Sequence, residues 1–236
     1  QLYIYLGDIN FSNMELWQCL CKLSLFGALI VFNAFVATFG DSALAQITPD
    51  SSLGSESSTL TPNVDIKGLP GTLIEGGATR NLNNLFHSFS EFNVNNGQRV
   101  YFSNPAAIEN IFTRVTGANV SNILGTLGVD GNANLYFLNP NGIIFGENAQ
   151  LDVSFSFFAT TADSFDFCNG LQFSASNPQA APLLTMSVAP GLQYGANPGN
   201  INSSGNLTVE KDLTLAGGNH DLQGAVTANE EVFLVS

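Results

Sequence analysis

The chain has 236 residues, a formal net charge of −13, 44% hydrophobic residues and only 11% charged ones. With 6 Lys and Arg in all, a phosphate backbone would find few partners, which excludes nucleic acid as a ligand. The length suits one sizeable domain plus a small extra segment. A polar complement of Asn, Gly, Ser and Thr rather than of ions fits stacked β-structure, where such side chains pair in ladders along a face.

The N-terminal stretch reads as a targeting segment. Residues 23–39, LSLFGALIVFNAFVATF, are almost wholly apolar, with Lys22 before them and SALAQ after. Ala43 and Ala45 stand at the small positions of an A-x-A site, which predicts a secretory signal peptide cut between Ala45 and Gln46. A membrane anchor is the rival reading, but the run falls short of the ~20 residues of a full span. Asp8 and Glu15 are unusual ahead of a signal. Translation from Met14 would leave MELWQCLCK as a short leader. Residues 1–45 are thus expected to be leader and signal peptide, and residues 46–236 a secreted domain. Cleavage would reduce 19 acids to 16 and 6 bases to 5, and leave Cys168 alone of 3 cysteines, so no intrachain disulfide is expected.

Residues 46–63 are polar and Ser/Thr-rich and read as an extended lead-in. From Val64 onward short β-like runs recur: VDIKG, TLIEGG, FHSFSEFNV, RVYFS, ENIFTRV, NILGTLGV, NLYFL, GIIFG, QLDVSFSFFATT, LLTMSV, NLTV and LTLAGG, with Gly, Asn and Pro as breakers. Pro105 in NPAAIENIF suits the first position of a single helical turn. A sandwich or barrel would show two-residue hairpin loops and clean alternation. The longer turns and non-alternating runs here favour a parallel β-helix, an all-β stack of coils of ~20 residues with Asn/Gly corners. EEVFLVS is a poor cap for a solenoid edge, so the repeat is expected to continue past Ser236.

Between Leu135–Leu138 and Ile143–Phe145 the chain sets Asn139-Pro140-Asn141-Gly142. Pro140 presets φ for the second turn position, Asn141 tolerates the third, and Gly142 suits the fourth. A rigid corner follows, with Asn139 and Asn141 bonding nearby backbone and Ile143 pointing into the core.

Other candidate sites have plainer readings. His87, flanked by aromatics, reads as packed and hydrogen-bonded, with no nucleophile tied to it by motif. His220 lies in a Gly-rich turn and reads as solvated. Asp130, Asn132 and Asn134 begin like a calcium loop, but Leu135 and Asn141 stand where Gly and a bidentate Glu belong. Asp163 and Asp166 alternate with Phe165 and Phe167 as in a strand with one solvent face, although carboxylate pairs also serve glycoside hydrolysis. Glycines in GTLGVDG lack a cation for a phosphate loop. Asn119, Asn202 and Asn206 sit in N-x-S/T triplets that arise readily in such a composition. Cys168 in SFDFCNG reads as a buried small hydrophobe. No catalytic residue, metal or cofactor is expected.

Residues 47–201 carry a family resemblance. ITPDSSLGSESSTLTPN (47–63), LFHSFSEFNV (85–94), GQRVYFSNPAAIENIFTRVTG (97–117), the block 121–163 and LQYGANPGNI (192–201) follow in the order and spacing of filamentous-haemagglutinin-like secretion domains, those of two-partner secretion exoproteins. NPNGI, Asn139 to Ile143, resembles the signature turn of that family. The resemblance implies a right-handed, single-stranded parallel β-helix with small extra-helical β elements. It also implies export by an outer-membrane β-barrel transporter as partner, and a non-enzymatic role in a secreted adhesin-like protein. A module that binds carbohydrate or cell-surface glycans in its own right is the alternative, and a β-helical polysaccharide lyase or hydrolase a weaker one. Two departures stand out: Ser154 and Phe155 replace expected glycines, and Glu230-Glu231 interrupt an expected Gly-rich turn.

Overall fold

The computed structural model describes residues 47–81, 83–183 and 190–236. The expected signal peptide, its site at Ala43, Ala45 and Gln46, and residues 184–188 of the LLTMSV run lie outside the described residues.

The polar lead-in does more than extend. It forms β1 (Ile47–Pro49), a 3-10 turn at Gly54–Glu56 and most of β2 (Ser58–Ile66), which makes an antiparallel hairpin with β3 (Leu69–Gly76). β4 (Ala78–Arg80) leads into the winding: β5 (Asn84–Phe92), β6 (Arg99–Ser103), β7 (Asn110–Val115), β8 (Ser121–Ile123), β9 (Thr126–Asp130), β10 (Asn134–Leu138), β11 (Ile143–Phe145), β12 (Gln150–Asp152) and β13 (Phe157–Thr160). An excursion of β14 (Ser164–Asp166), β15 (Gln172–Ser174) and β16 (Gly191–Gln193) interrupts it. The winding then resumes with β17 (Ile201–Ser203), β18 (Leu207–Val209), β19 (Leu213–Ala216), β20 (His220–Leu222), β21 (Val226–Ala228) and β22 (Val232–Val235).

Successive strands visit three faces in turn. Sheet I runs β2-β3-β6-β9-β12, and β18 pairs with β21 separately on the same face. Sheet II runs β1-β5-β7-β10-β13-β19-β22, and sheet III β8-β11-β17-β20. Beyond the leading antiparallel strands, every pairing in these three sheets is parallel, so the chain is a parallel β-helix. Parallel crossovers of this kind wind right-handed.

Two periodicities build the stack. Along sheet II, Leu85, Ile111, Leu135, Phe157 and Leu213 occupy one column, all turned into a continuous core shared with Ile143, Phe145 and Ile201 of sheet III. One residue before that column stands a polar ladder. Asn110 Nδ2 donates to Asn84 Oδ1 at 3.1 Å across 26 residues, Asn134 to Asn110 at 2.9 Å across 24, and Ser156 N–H to Asn134 Oδ1 at 3.1 Å across 22. The bottom rung joins Glu231 N–H to Asp212 Oδ1 at 3.2 Å across 19. The coils therefore shorten along the axis while each corner hydrogen-bonds to the next.

The outer face of sheet II is also apolar. Phe86 stacks on Phe112 with ring centroids 5.1 Å apart, and Phe112 on Tyr136 at 4.5 Å. The excursion covers them, setting Phe173 edge-on to Phe86 and Phe165 edge-on to Phe112. Offset and edge-on aromatic pairs add stability beyond their buried area.

Three expectations change. NILGTLGV divides into β8 and β9, and QLDVSFSFFATT into β12 and β13, because a corner falls inside each run. The NPAAIENIF piece is not helical. Pro105 C=O accepts from Ile108 N–H, and Ala107 takes φ +74°, a left-handed conformation that a helix does not contain.

Candidate functional site

The NPNGI corner joins β10 to β11, between sheets II and III. Asn139 is fully buried, and its amide is used on both sides. Oδ1 accepts from Asn141 N–H at 3.0 Å and from Asn141 Nδ2 at 3.1 Å, an Asx turn. Nδ2 donates to Asn119 C=O at 3.0 Å and to Ser121 Oγ at 2.9 Å, both in the preceding coil. The β-turn closes through Gly142 N–H to Asn139 C=O at 3.2 Å, and exposed Asn141 donates from Nδ2 to Gly117 C=O at 2.7 Å.

The following coil seals the other side. Gly199 N–H donates to Pro140 C=O, and Ile143 N–H to Asn200 C=O. Gly199 lies so close that a Cβ there would stand 2.4 Å from Asn141 C and Gly142 N. Gly142 holds φ +125°, open to glycine and costly to any side chain. Ile143 is wholly buried and enters the common core. The corner is thus bonded to the coils on both sides of it.

The remaining candidates scatter. His87 is fully buried in the core, its Nδ1 2.8 Å from Ser58 Oγ and its ring beside Phe89 and Phe102. Burial pushes its pKa down to about 3, so it is neutral. His220 Nε2 lies 2.9 Å from Val235 C=O on the last coil. Asp130 ends β9 and Asn132 lies in the bend after it, both exposed. Among the described residues no group of three or more His, Cys, Asp or Glu side chains could hold a metal ion. Asp166 accepts from Ser164 Oγ at 2.6 Å while Phe165 and Phe167 are buried. Cys168 is exposed rather than buried: it opens the 3-10 turn Cys168–Gly170, directly after a segment whose buried positions are Phe165 and Phe167.

One cluster escaped sequence reasoning. Arg114, on the outer face of β7, is fully buried. Its Nε donates to Ser88 Oγ at 2.9 Å, one terminal nitrogen to Ser174 C=O at 2.9 Å, and the other to Ser52 Oγ at 2.8 Å and Gln179 C=O at 2.6 Å. The guanidinium also lies 4.2 Å above the Phe173 ring. Burial pulls its pKa down to about 10, with the nearby Asp50 charge opposing that. Burial pushes the Asp50 carboxyl up, but bonds from Ser52, Thr116 and Ser88 outweigh it and hold the group below its ordinary value. Arg114 therefore ties the lead-in, sheet II and the excursion together. A lone base in the apolar run ENIFTRV was the available signal.

The TPS secretion domain family matches residues 45–233. A heme/hemopexin-binding protein of Haemophilus influenzae is 39% identical over 72 residues, which is 30% of this chain and 8% of that protein. The chain therefore spans a small part of the curated relative that it matches. The crystal structure of the filamentous hemagglutinin secretion domain aligns at 15% identity with a TM-score of 0.34, over 80% of this chain and 99% of the other.

Proposed function

The chain belongs to the TPS secretion domain family, and on that premise we propose that it directs a haemagglutinin-like exoprotein to an outer-membrane β-barrel transporter for export. The observation that carries this reading is the family match over residues 45–233. Its work is recognition and passage, not chemistry on a substrate. Delivery begins with the signal peptide: cleavage after Ala45 leaves Gln46 as the first residue, for the small side chains at Ala43 and Ala45 suit the peptidase. N-terminal sequencing of exported chain should read from Gln46. Retention of residues 23–39 would instead mean a membrane anchor.

The NPNGI corner serves this function as scaffold. All the donor and acceptor capacity of Asn139 that the turn uses is spent inside the protein, and the residue has no exposed surface to offer a transporter. Asn141 is exposed, yet its amide also turns inward, to Gly117 and Asn139. Paired melting and export assays on Asn139→Ala, Asn141→Ala and Ile143→Ala test both claims, with the transporter supplied. Export should require the transporter and fall in proportion to lost stability. Transporter-independent export would overturn the function. A variant that melts normally but is not exported would overturn the scaffold role.

A further inference from the structure

The sequence contains three Asn-Gly pairs, Asn96-Gly97, Asn141-Gly142 and Asn169-Gly170. In such a pair the glycine nitrogen, with no side chain beside it, can reach the asparagine side-chain carbonyl. The fold treats the first two pairs in opposite ways. Asn96 and Gly97 form the middle of a turn closed by Gln98 N–H to Asn95 C=O at 3.0 Å, and both are exposed. Gly97 takes φ +74°, and a Cβ placed on it would meet open space. Among the described residues neither the Gly97 N–H nor the Asn96 side-chain amide has a hydrogen-bond partner. At the NPNGI corner the corresponding groups are held. Gly142 N–H donates to Asn139 C=O at 3.2 Å, and Asn141 Nδ2 donates to Gly117 C=O at 2.7 Å and to Asn139 Oδ1 at 3.1 Å. Asn200 of the next coil closes the space over Gly142, its C=O oxygen 3.1 Å from where a Cβ would stand.

We propose that Asn96 is a site of spontaneous covalent modification in the folded protein, deamidating to aspartate and isoaspartate, while the hydrogen bonds of the corner keep Asn141 from the same reaction. The Gly97 nitrogen attacks Asn96 Cγ; the new N–Cγ bond forms, the Cγ–Nδ2 bond breaks, and ammonia leaves with the proton that the nitrogen gave up. Water then opens the cyclic imide. Cleavage at Cγ gives aspartate, and cleavage at the backbone carbonyl gives isoaspartate, whose main chain runs through Cγ. Water is the one co-reactant, and nothing is oxidised or reduced. At Asn141 the glycine nitrogen must first lose its bond to Asn139, so conversion there waits on local opening and follows the open fraction. The turn at Asn96 can take the product. Its ends are fixed to the next coil by Leu124 N–H to Val94 C=O and by Thr126 N–H to Gln98 C=O, so the methylene that isoaspartate adds to the chain bulges at the exposed tip, and the new carboxylate faces solvent.

Peptide mapping by mass spectrometry, on the whole folded chain held at neutral pH well below its melting temperature, tests this. Trypsin should release Asn96 in residues 81–99 and Asn141 in residues 115–211, where fragment spectra separate Asn141 from Asn169. The first peptide should gain, with time, the mass of an amide turned to an acid, as two products that elute apart. Asn96 should convert at least about tenfold faster than Asn141. In urea that unfolds the chain, the difference between them should disappear. Asn139→Ala should speed conversion at Asn141 and leave Asn96 unchanged, whereas Asn96→Gln should abolish both products in residues 81–99. An Asn96 as resistant as Asn141 in the folded chain would overturn the proposal. So would a difference that persists in urea, because sequence and not fold would then set it, or an Asn141 that stays as resistant in Asn139→Ala.

Discussion

At the corner, five adjacent residues do different things, and their substitutions should separate accordingly. Pro140 contributes chiefly by restricting the unfolded chain, so Pro140→Ala should cost only about 0.4–1 kcal/mol. Ile143 fills core space, and Ile143→Ala should cost roughly 2–5 kcal/mol. Gly199→Ala should be as damaging as the core change, because a Cβ 2.4 Å from Asn141 C and Gly142 N meets backbone, which cannot swing aside. Urea melts of the three variants check the order; a harmless Gly199→Ala would contradict this geometry. His87 sets a different dependence. Its ordinary pKa of 6.5 is depressed to about 3 in the folded state, so the unfolded chain binds the extra proton first. Stability is complete above about pH 6.5 and is lost as pH falls towards 3, by up to about 1.4 kcal/mol per pH unit. His87→Gln should flatten the urea midpoint between pH 6.5 and 4. The loss below that range should persist, since Asp50 and Asp152, both held below their ordinary value, are protonated there.

The elements show what a sequence can and cannot disclose about a β-helix. The corner's own bonds are legible, because an Asx turn and a β-turn link residues two or three apart. Its bonds to Asn119, Ser121 and Asn200 are not, since they depend on which coil lies above and below. Runs such as NILGTLGV read as single strands because the corner between β8 and β9 is almost as apolar as the strands. The outer column of Phe86, Phe112 and Tyr136 hides alternation, as the excursion buries that face too. Arg114 was missed for the same reason: only the docked excursion makes a strand-surface base a buried one. Arg114→Met should cost roughly 3–5 kcal/mol by stranding the groups around it. Arg114→Lys should not rescue it, since one ammonium cannot span Ser52, Ser88, Ser174 and Gln179. Urea melts, with limited proteolysis of residues 175–183, measure both the loss and the release of the excursion.

For the molecule as a whole, cohesion comes from burial and from ladders that run the length of the stack, with little help from ions or covalent links. Two ion pairs, Lys67–Asp152 and Arg80–Glu56, occur among the described residues, and both are at least partly exposed, where such pairs contribute about 0–1 kcal/mol. No disulfide joins any described residues, and the one described cysteine, Cys168, is free and exposed on a turn. Once residues 1–45 are removed, Cys168 is what remains of the 3 cysteines in the sequence, so a bond there can form only between molecules, linking two exposed turns without closing a loop in either chain. The stabilisation that a disulfide gives by restricting the unfolded chain is therefore absent. The chain cut after Ala45 should melt at the same temperature with and without reductant. Left in air at high concentration it should gain a dimer that reductant removes, and Cys168→Ser should abolish that dimer without moving the melting temperature. A fall in the monomer's melting temperature on reduction would contradict this account of its cohesion, because it would require a covalent constraint inside one chain.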